Sequence, residues 1–332
     1  MNYRAAVSLF CLVLTVNACS FFLPREVEKP ASPDRDSTPF IPSGSAIYDD
    51  GDLAIQYLVD LSLFGPRTME HDGHQKARDY IETALAGMGY SPVVQAFVTK
   101  NGKDAANIYA DKPGKSGKTI LAGAHYDSTG PGSGVDDNAS GSAVLLEMAF
   151  RLKNIETPYS IRFIFFDAEE TGLEGSKHYT SRMTEEEVDN SIVMVNLNSL
   201  AVGDYTYVYG DEGEAGLVRD WALDYAREKG IDLITQPGKN PEYPAGTTID
   251  ASDHAPFLHK GIQYVYFEAT NWDLGELDGY TQVDPSFGVN GEIWHAEYDN
   301  LDYINKSFPG RMESHLRLFS NVLFHILTEY QI

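Results

Sequence analysis

Three stretches of this chain are apolar almost without interruption: TILAGAH at 119–125, IRFIFFD at 161–167 and SIVMVNL at 191–197. A strand with one face in water alternates apolar and polar residues, so unbroken runs of this length predict strands covered on both faces, as in the middle of a parallel sheet. YTYVYG (205–210) and YVYFEA (264–269) predict further strands. Elsewhere the apolar residues recur three and four apart. Val144, Leu145, Met148, Ala149 and Leu152 form one helical stripe. Leu217, Val218, Trp221, Ala222 and Tyr225 form a second, and Met312, Leu316, Phe319, Leu323 and Leu327 a third. Strands alternating with helices predict an α/β fold: a three-layer α/β/α sandwich with a central mixed, mostly parallel sheet.

The N-terminal pattern is different. Arg4 precedes AAVSLFCLVL, ten residues of which nine are apolar, too short to span a bilayer but suited to the apolar core of a signal peptide. The following VNAC is similar to the lipobox of bacterial lipoproteins, which predicts a signal peptide over 1–18 and a lipidated Cys19, with an ordinary signal peptide cut at the same bond as the alternative. Ser20, rather than Asp, after that Cys suits the outer membrane, facing periplasm or surface; a soluble periplasmic or secreted protein is the alternative. Residues 20–45 hold five of the 16 prolines, so 19–45 is expected to be a tether and 46–332 a single domain. The only cysteines are Cys11 and Cys19, which leaves the mature domain no disulfide and no thiolate ligand. With 49 acids against 25 Lys plus Arg, the net charge of −24 argues against nucleic acid as a partner.

Each long apolar run ends in chemistry. The first leads into His125 and Asp127, the second into the adjacent Glu169 and Glu170, the third into Asn198. In open α/β sheets ligands bind beyond the carboxyl ends of the strands, so three strands deliver polar groups to one edge. GSGVDDNASGSA (132–143) is a glycine-rich turn that opens a helix and brings Asp136 and Asp137 to that edge, and GEIWHAEYDN (291–300) adds His295 before the last helix. Taken singly these have plain readings: a surface His–Asp pair, a helix-capping turn, a half-buried structural histidine and a solvated acidic loop. Together, imidazole and carboxylate groups without thiolate are the donor set of a catalytic zinc, which keeps a position open for water. His178 is read as a solvent-facing helix residue, and Asp253/His254 as either a pair behind the metal ligands or a helix cap.

The order HxD, DDNASG, Glu-Glu, NLx, then a late His resembles the co-catalytic zinc aminopeptidases, a family that includes glutaminyl cyclases and carboxypeptidase-like ectodomains. The resemblance spans residue 50 to the C-terminus. It implies two zinc ions bridged by Asp137, with His125 completing one site and Glu170 and His295 the other. Asp127 would orient the His125 ring. Glu169 would be the general base on a zinc-bound water, passing its proton to the leaving amine. The family also implies a cis peptide bond after Asp137. Peptide or protein N-termini are then the substrates, and VGDYTYVYG, FEATNWDLGELDGY and SFPGRME are similar to a narrower group that trims basic first residues.

One position departs from the pattern. The family has Asp where this chain has Asn198, and an amide oxygen brings no charge, so the His125/Asn198 site is expected to be weak or empty. Two alternatives follow. Trp294-His295 with a single zinc suits a glutaminyl cyclase, and loss of the metals would leave a binding ectodomain.

Overall fold

The computed structural model describes residues 38–42 and 48–332. The expected signal segment and Cys19 lie outside the described residues. Helices α1 (Asp52–Ser62) and α2 (Asp72–Gly87) come first, followed by strands β1 (Val93–Val98), β2 (Asp104–Lys112) and β3 (Thr119–His125). Helix α3 (Ser140–Leu152), β4 (Ser160–Phe166), α4 (Glu174–Arg182), α5 (Glu185–Asn190), β5 (Ser191–Leu197) and β6 (Tyr205–Gly210) continue the chain. It closes with α6 (Leu217–Lys229), β7 (Leu233–Ile234), α7 (Ala255–Leu258), β8 (Tyr264–Thr270), α8 (Leu301–Ser307) and α9 (Arg311–Glu329).

The eight strands form one sheet in the order β1-β2-β4-β3-β5-β8-β6-β7. Its centre, β4-β3-β5-β8, is parallel throughout, while β1, β2 and β6 run antiparallel to their inner neighbours. The expected mixed sheet is therefore present, with the parallel pairing concentrated where the apolar runs are longest.

The reason those runs are unbroken is visible in their alternation. On β4, Ile161, Phe163 and Phe165 face one core, shared with α1, α2, α3, α6 and α9, while Ile164 and Phe166 face a second, shared with α4 and α7. On β5, Val193, Val195 and Leu197 point to the first core and Met194 to the second. Both faces are covered, so both parities must be apolar. Burying each such side chain contributes about 1.5–3 kcal/mol. The second core is tyrosine-rich where β6 and β8 cross it, holding Tyr207, Tyr209, Tyr264 and Tyr266, with Trp272 against Tyr209.

The β1–β2 hairpin was not anticipated by the apolar-run criterion. β1 is an edge strand with Val93, Val94 and Val98 exposed, so it lacks a two-sided apolar signature. Its one local signal is Asn101-Gly102 between the strands, with Gly102 at φ 75°. Within the stretch read as tether, Pro39 and Pro42 are buried.

Candidate functional site

Because β3, β4, β5 and β8 are parallel, their carboxyl ends meet along one edge. His125 ends β3, Glu169 and Glu170 follow β4, and Asn198 follows β5. Asp137 comes from the turn before α3, which Gly134 opens at φ 61°. A Cβ on Gly134 would lie 2.5–2.7 Å from Ser128, the Asp137 carbonyl and Arg67, so only glycine closes this turn. The Asp137–Asn138 peptide bond is cis, as the resemblance implies.

Asp137 sits between two groups. Its Oδ1 is 3.1 Å from His125 Nε2, which is itself 3.2 Å from Asn198 Oδ1. Its Oδ2 is 3.0 Å from His295 Nε2, which is 3.3 Å from Glu170 Oε2. Zinc ligands at about 2.0–2.1 Å in a tetrahedron stand roughly 3.3 Å from one another, close to these four separations. Asp137 Oδ1 is buried and receives no well-formed hydrogen bond, despite the nearby imidazole. A buried carboxylate oxygen without a donor, beside the same imidazole nitrogen as the Asn198 Oδ1 acceptor, fits a cation. His125, Asp137 and Glu170 could share one ion as well, since their ligand atoms all lie within 4.8 Å of one another.

The electrostatics point the same way. Burial favours the neutral ring at His125, but Glu169, Asp127 and Asp137 outweigh it and raise its pKa well above the ordinary value. Hydrogen bonds to Asp137 and Glu170 push His295 up to about 11. Burial opposes ionisation of Asp137, yet the two imidazoles hold its pKa below the usual carboxylate range. Glu169 goes the other way. Desolvation, with Asp253, Glu170 and Asp137 nearby, raises it well above the ordinary value against the pull of His125. A carboxyl with raised proton affinity beside the ligands is suited to accept a proton.

The supporting residues are satisfied in detail. Asp127 lies 3.4 Å from His125 Nδ1 and accepts the backbone N–H groups of Glu169 and Glu170, one on each oxygen, at 3.2 Å. It thereby ties the histidine and the glutamate pair to one carboxylate. Asp136 turns away from the cleft, and its oxygens accept from Ala201 N, Val202 N and Gln282 Nε2. Ala168, Ser199 and His295 are non-glycine residues in the left-handed region, at φ 58°, 50° and 56°. All three adjoin or are site residues, where such conformations persist only if the surroundings impose them.

Several of these supports carry no sequence signal. Arg67 is fully buried and donates to the carbonyls of Tyr126, Ser133 and Gly134, clamping the loop that carries Asp127 and Asp137. Asp299 accepts the N–H groups of Asp136 and Asp137 at 2.7 and 3.1 Å. Gln282 joins Asp136 to the His295 loop by accepting from Ile293 N and Trp294 N at 2.9 Å. Glu268, near the end of the parallel strand β8, lines the same cleft as Glu169 and Trp294.

Two expectations change. His178 is half-buried and stacks on Phe97 at 4.8 Å between ring centroids, because α4 lies over β1 rather than open to water. Asp253 and His254 are neither a helix cap nor a pair: His254 caps nothing and packs against Tyr264 and Tyr266. Asp253 is fully buried near Asp127, Glu169 and Glu170, where burial pushes its carboxyl up to about 7 against the pull of His125.

Comparison with known proteins gives the same picture. The sequence profile of peptidase family M28 matches residues 107–320. The chain is 34% identical over 313 residues to the alkaline phosphatase isozyme conversion protein of Escherichia coli, covering 84% of this chain and 90% of that one. It is 31% identical over 219 residues to aminopeptidase YwaD of Bacillus subtilis, covering 64% of this chain and 43% of that one. Among solved structures, BSAP, a zinc aminopeptidase from Bacillus subtilis, aligns with a TM-score of 0.54 at 27% identity over 70% of this chain and 52% of its own. A Zn-dependent exopeptidase from Parabacteroides distasonis shares the fold, with a TM-score of 0.67 at 20% identity over 86% of this chain and 100% of its own. So does a glutaminyl cyclase from Porphyromonas gingivalis, at 0.64 and 19% over 84% and 98%.

Proposed function

The chain belongs to peptidase family M28, and we propose that it is a zinc-dependent aminopeptidase that releases the first residue of peptides or proteins. The observation that carries the reading is Asp137, whose two oxygens face two separate sets of ligand atoms. Asp137, Glu170 and His295 would hold the tighter zinc, and His125, Asp137 and Asn198 a weaker one. When bound, zinc supplies the Lewis acidity that polarises the scissile carbonyl and makes water acidic. Glu169 accepts the proton of the attacking water at its carboxylate and returns it to the leaving amine. Asp127 keeps the His125 ring and the Glu169–Glu170 backbone in register for this exchange. A cationic first side chain is favoured, which the acidic lining of the cleft supports. Cys19 would be the lipidated residue of an exported protein; among the described residues no helix is long and apolar enough to cross a membrane.

Hydrolysis of arginyl, lysyl, leucyl and glutaminyl amides by the purified protein, with and without chelator, tests this reading. Chelator-sensitive cleavage is expected, and Glu169→Gln should lower kcat by roughly 10²–10⁴-fold with the metal content unchanged. Failure to cleave any amide with zinc present would sink the proposal. Glutaminyl cyclase is the second reading, favoured by the neutral Asn198 and by Trp294 in the cleft. Conversion of an N-terminal glutamine peptide to pyroglutamate, followed by mass spectrometry, would select it.

A further inference from the structure

Glu268 has no part in the zinc chemistry, yet it lines the same cleft as Asp137, Glu169, Glu170 and His295. Four parallel strands end at this edge, and β8 brings Glu268 there just as β3, β4 and β5 bring the catalytic groups. Its side chain shares the tyrosine-rich face of the sheet and is only 7% exposed.

Its partners are unusual for a buried acid. Oε1 accepts from the Tyr266 hydroxyl and Oε2 from the Tyr209 hydroxyl, each at 2.9 Å. The Trp272 indole N–H donates in turn to the Tyr209 oxygen at 2.6 Å, which fixes the frame. These donors are neutral, and among the described residues no Lys, Arg or His forms an ion pair with Glu268. Burial, with Asp136 and Asp137 nearby, raises its carboxyl to about 7, as expected of an acid without a cation of its own. A buried charge is normally paired. Here each oxygen keeps an unused lone pair, and the lining of the cleft includes the apolar and aromatic side chains of Tyr266, Ile249, Tyr280 and Trp294. Such walls suit the methylenes of a long side chain that carries its charge at the tip.

We propose that Glu268 is the specificity residue of this enzyme, pairing with the guanidinium or ammonium group of an arginyl or lysyl first residue. The assignment rests on the aminopeptidase reading given above. A leucyl residue would fill the same walls but leave the carboxylate desolvated and unpaired, and sites that hold buried polar groups discriminate strongly against partners that cannot satisfy them. The alternative role for Glu268 is a brace between Tyr209 and Tyr266 that matters only for packing.

The test compares kcat/KM for arginyl, lysyl and leucyl amides in wild type, Glu268→Gln and Glu268→Asp, with zinc content and thermal unfolding followed alongside. Glu268→Gln keeps the shape and can still accept from one tyrosine. It should lower arginyl and lysyl turnover roughly 10- to 100-fold, the weight of a hydrogen bond to a charged group, while leucyl turnover does not fall and rises as far as the desolvation of the charge had opposed it. Glu268→Asp keeps the charge one methylene further back, and should still prefer cationic residues to leucyl while favouring the longer arginyl over lysyl. A parallel fall on all three amides in both variants would make Glu268 a brace and overturn the assignment. So would an unchanged arginyl-to-leucyl ratio. If wild type cleaves none of the amides, the aminopeptidase reading itself falls, and this inference with it. If Glu268→Gln does not fold, the Glu268→Asp ratios decide alone: loss of the cationic preference with charge retained would refute the pairing.

Discussion

Replacing Gln282 by Leu isolates a support of the metal site that touches none of its ligand atoms. Gln282 is fully buried, donates to Asp136 Oδ2 at 2.6 Å and accepts from the N–H groups of Ile293 and Trp294 at 2.9 Å. Leu conserves most of the volume, so the cost comes from unmade hydrogen bonds rather than a cavity. The Asp136 oxygen and the Ile293 N–H are buried and would stay unsatisfied, at about 1–3 kcal/mol each. The Trp294 N–H is in a half-buried residue and can recover water. The expected loss is therefore about 2–6 kcal/mol, measurable by urea unfolding and within the usual stability of a domain, about 5–15 kcal/mol. The second effect falls on His295, held at φ 56° directly after the two anchored amides. That backbone costs about 1–3 kcal/mol and persists only while its neighbours impose it. Releasing it should weaken zinc binding by roughly 10–100-fold, the size seen when the outer supports of a metal site are removed. Competitive zinc titration against a chelator reads this directly. In a double-mutant cycle with His295→Ala, the two losses should fail to add, because both remove the same ligand. Unchanged zinc affinity in Gln282→Leu, or a full loss on top of His295→Ala, would refute the idea that Gln282 acts through the His295 loop.

Asn198→Asp should convert one tight and one weak zinc per chain into two tight ones in equilibrium dialysis, since it adds a charge facing His125 Nε2 at the 3.2 Å position of the amide oxygen; two equally tight ions in the unaltered protein would contradict the weak first site. His254 is buried against Tyr264 and Tyr266 with its pKa depressed by burial from 6.5 to about 3, and Asp250, 3.9 Å away and half exposed, does little to offset this. Its folded value lies below its unfolded one, so the stability it contributes is complete above pH 6.5 and is lost as pH falls toward 3, at about 1.4 kcal/mol per pH unit. His254→Phe should flatten the acid limb of the stability profile by that slope; an unaltered limb would mean the ring is not held neutral.

What could be read along the chain was whatever repeats or clusters locally. Strands 119–125, 191–197 and 205–210 have the ends their apolar runs suggested, because two covered faces make most of their positions apolar. The helical stripes fall on α3, α6 and α9; α6 and α9 bury one face at a 3.6-residue period, whereas α3 is buried nearly all round. The order of the acids and histidines was legible too, since the carboxyl ends of parallel strands must share an edge whatever lies between them. The rest is decided by contacts that no window of sequence contains. Arg67 reaches Tyr126 across 59 positions, Gln282 reaches Asp136 across 146, and Glu268 meets Tyr209 across 59. In the linear chain each is an unremarkable polar residue. Only closure of the sheet excludes water from them, and that exclusion gives each a defined partner: carbonyls for Arg67, amides for Gln282, phenols for Glu268. Periodicity is a property of one segment and the sequence contains it. Burial is a property of two, and it exists only once the chain has folded.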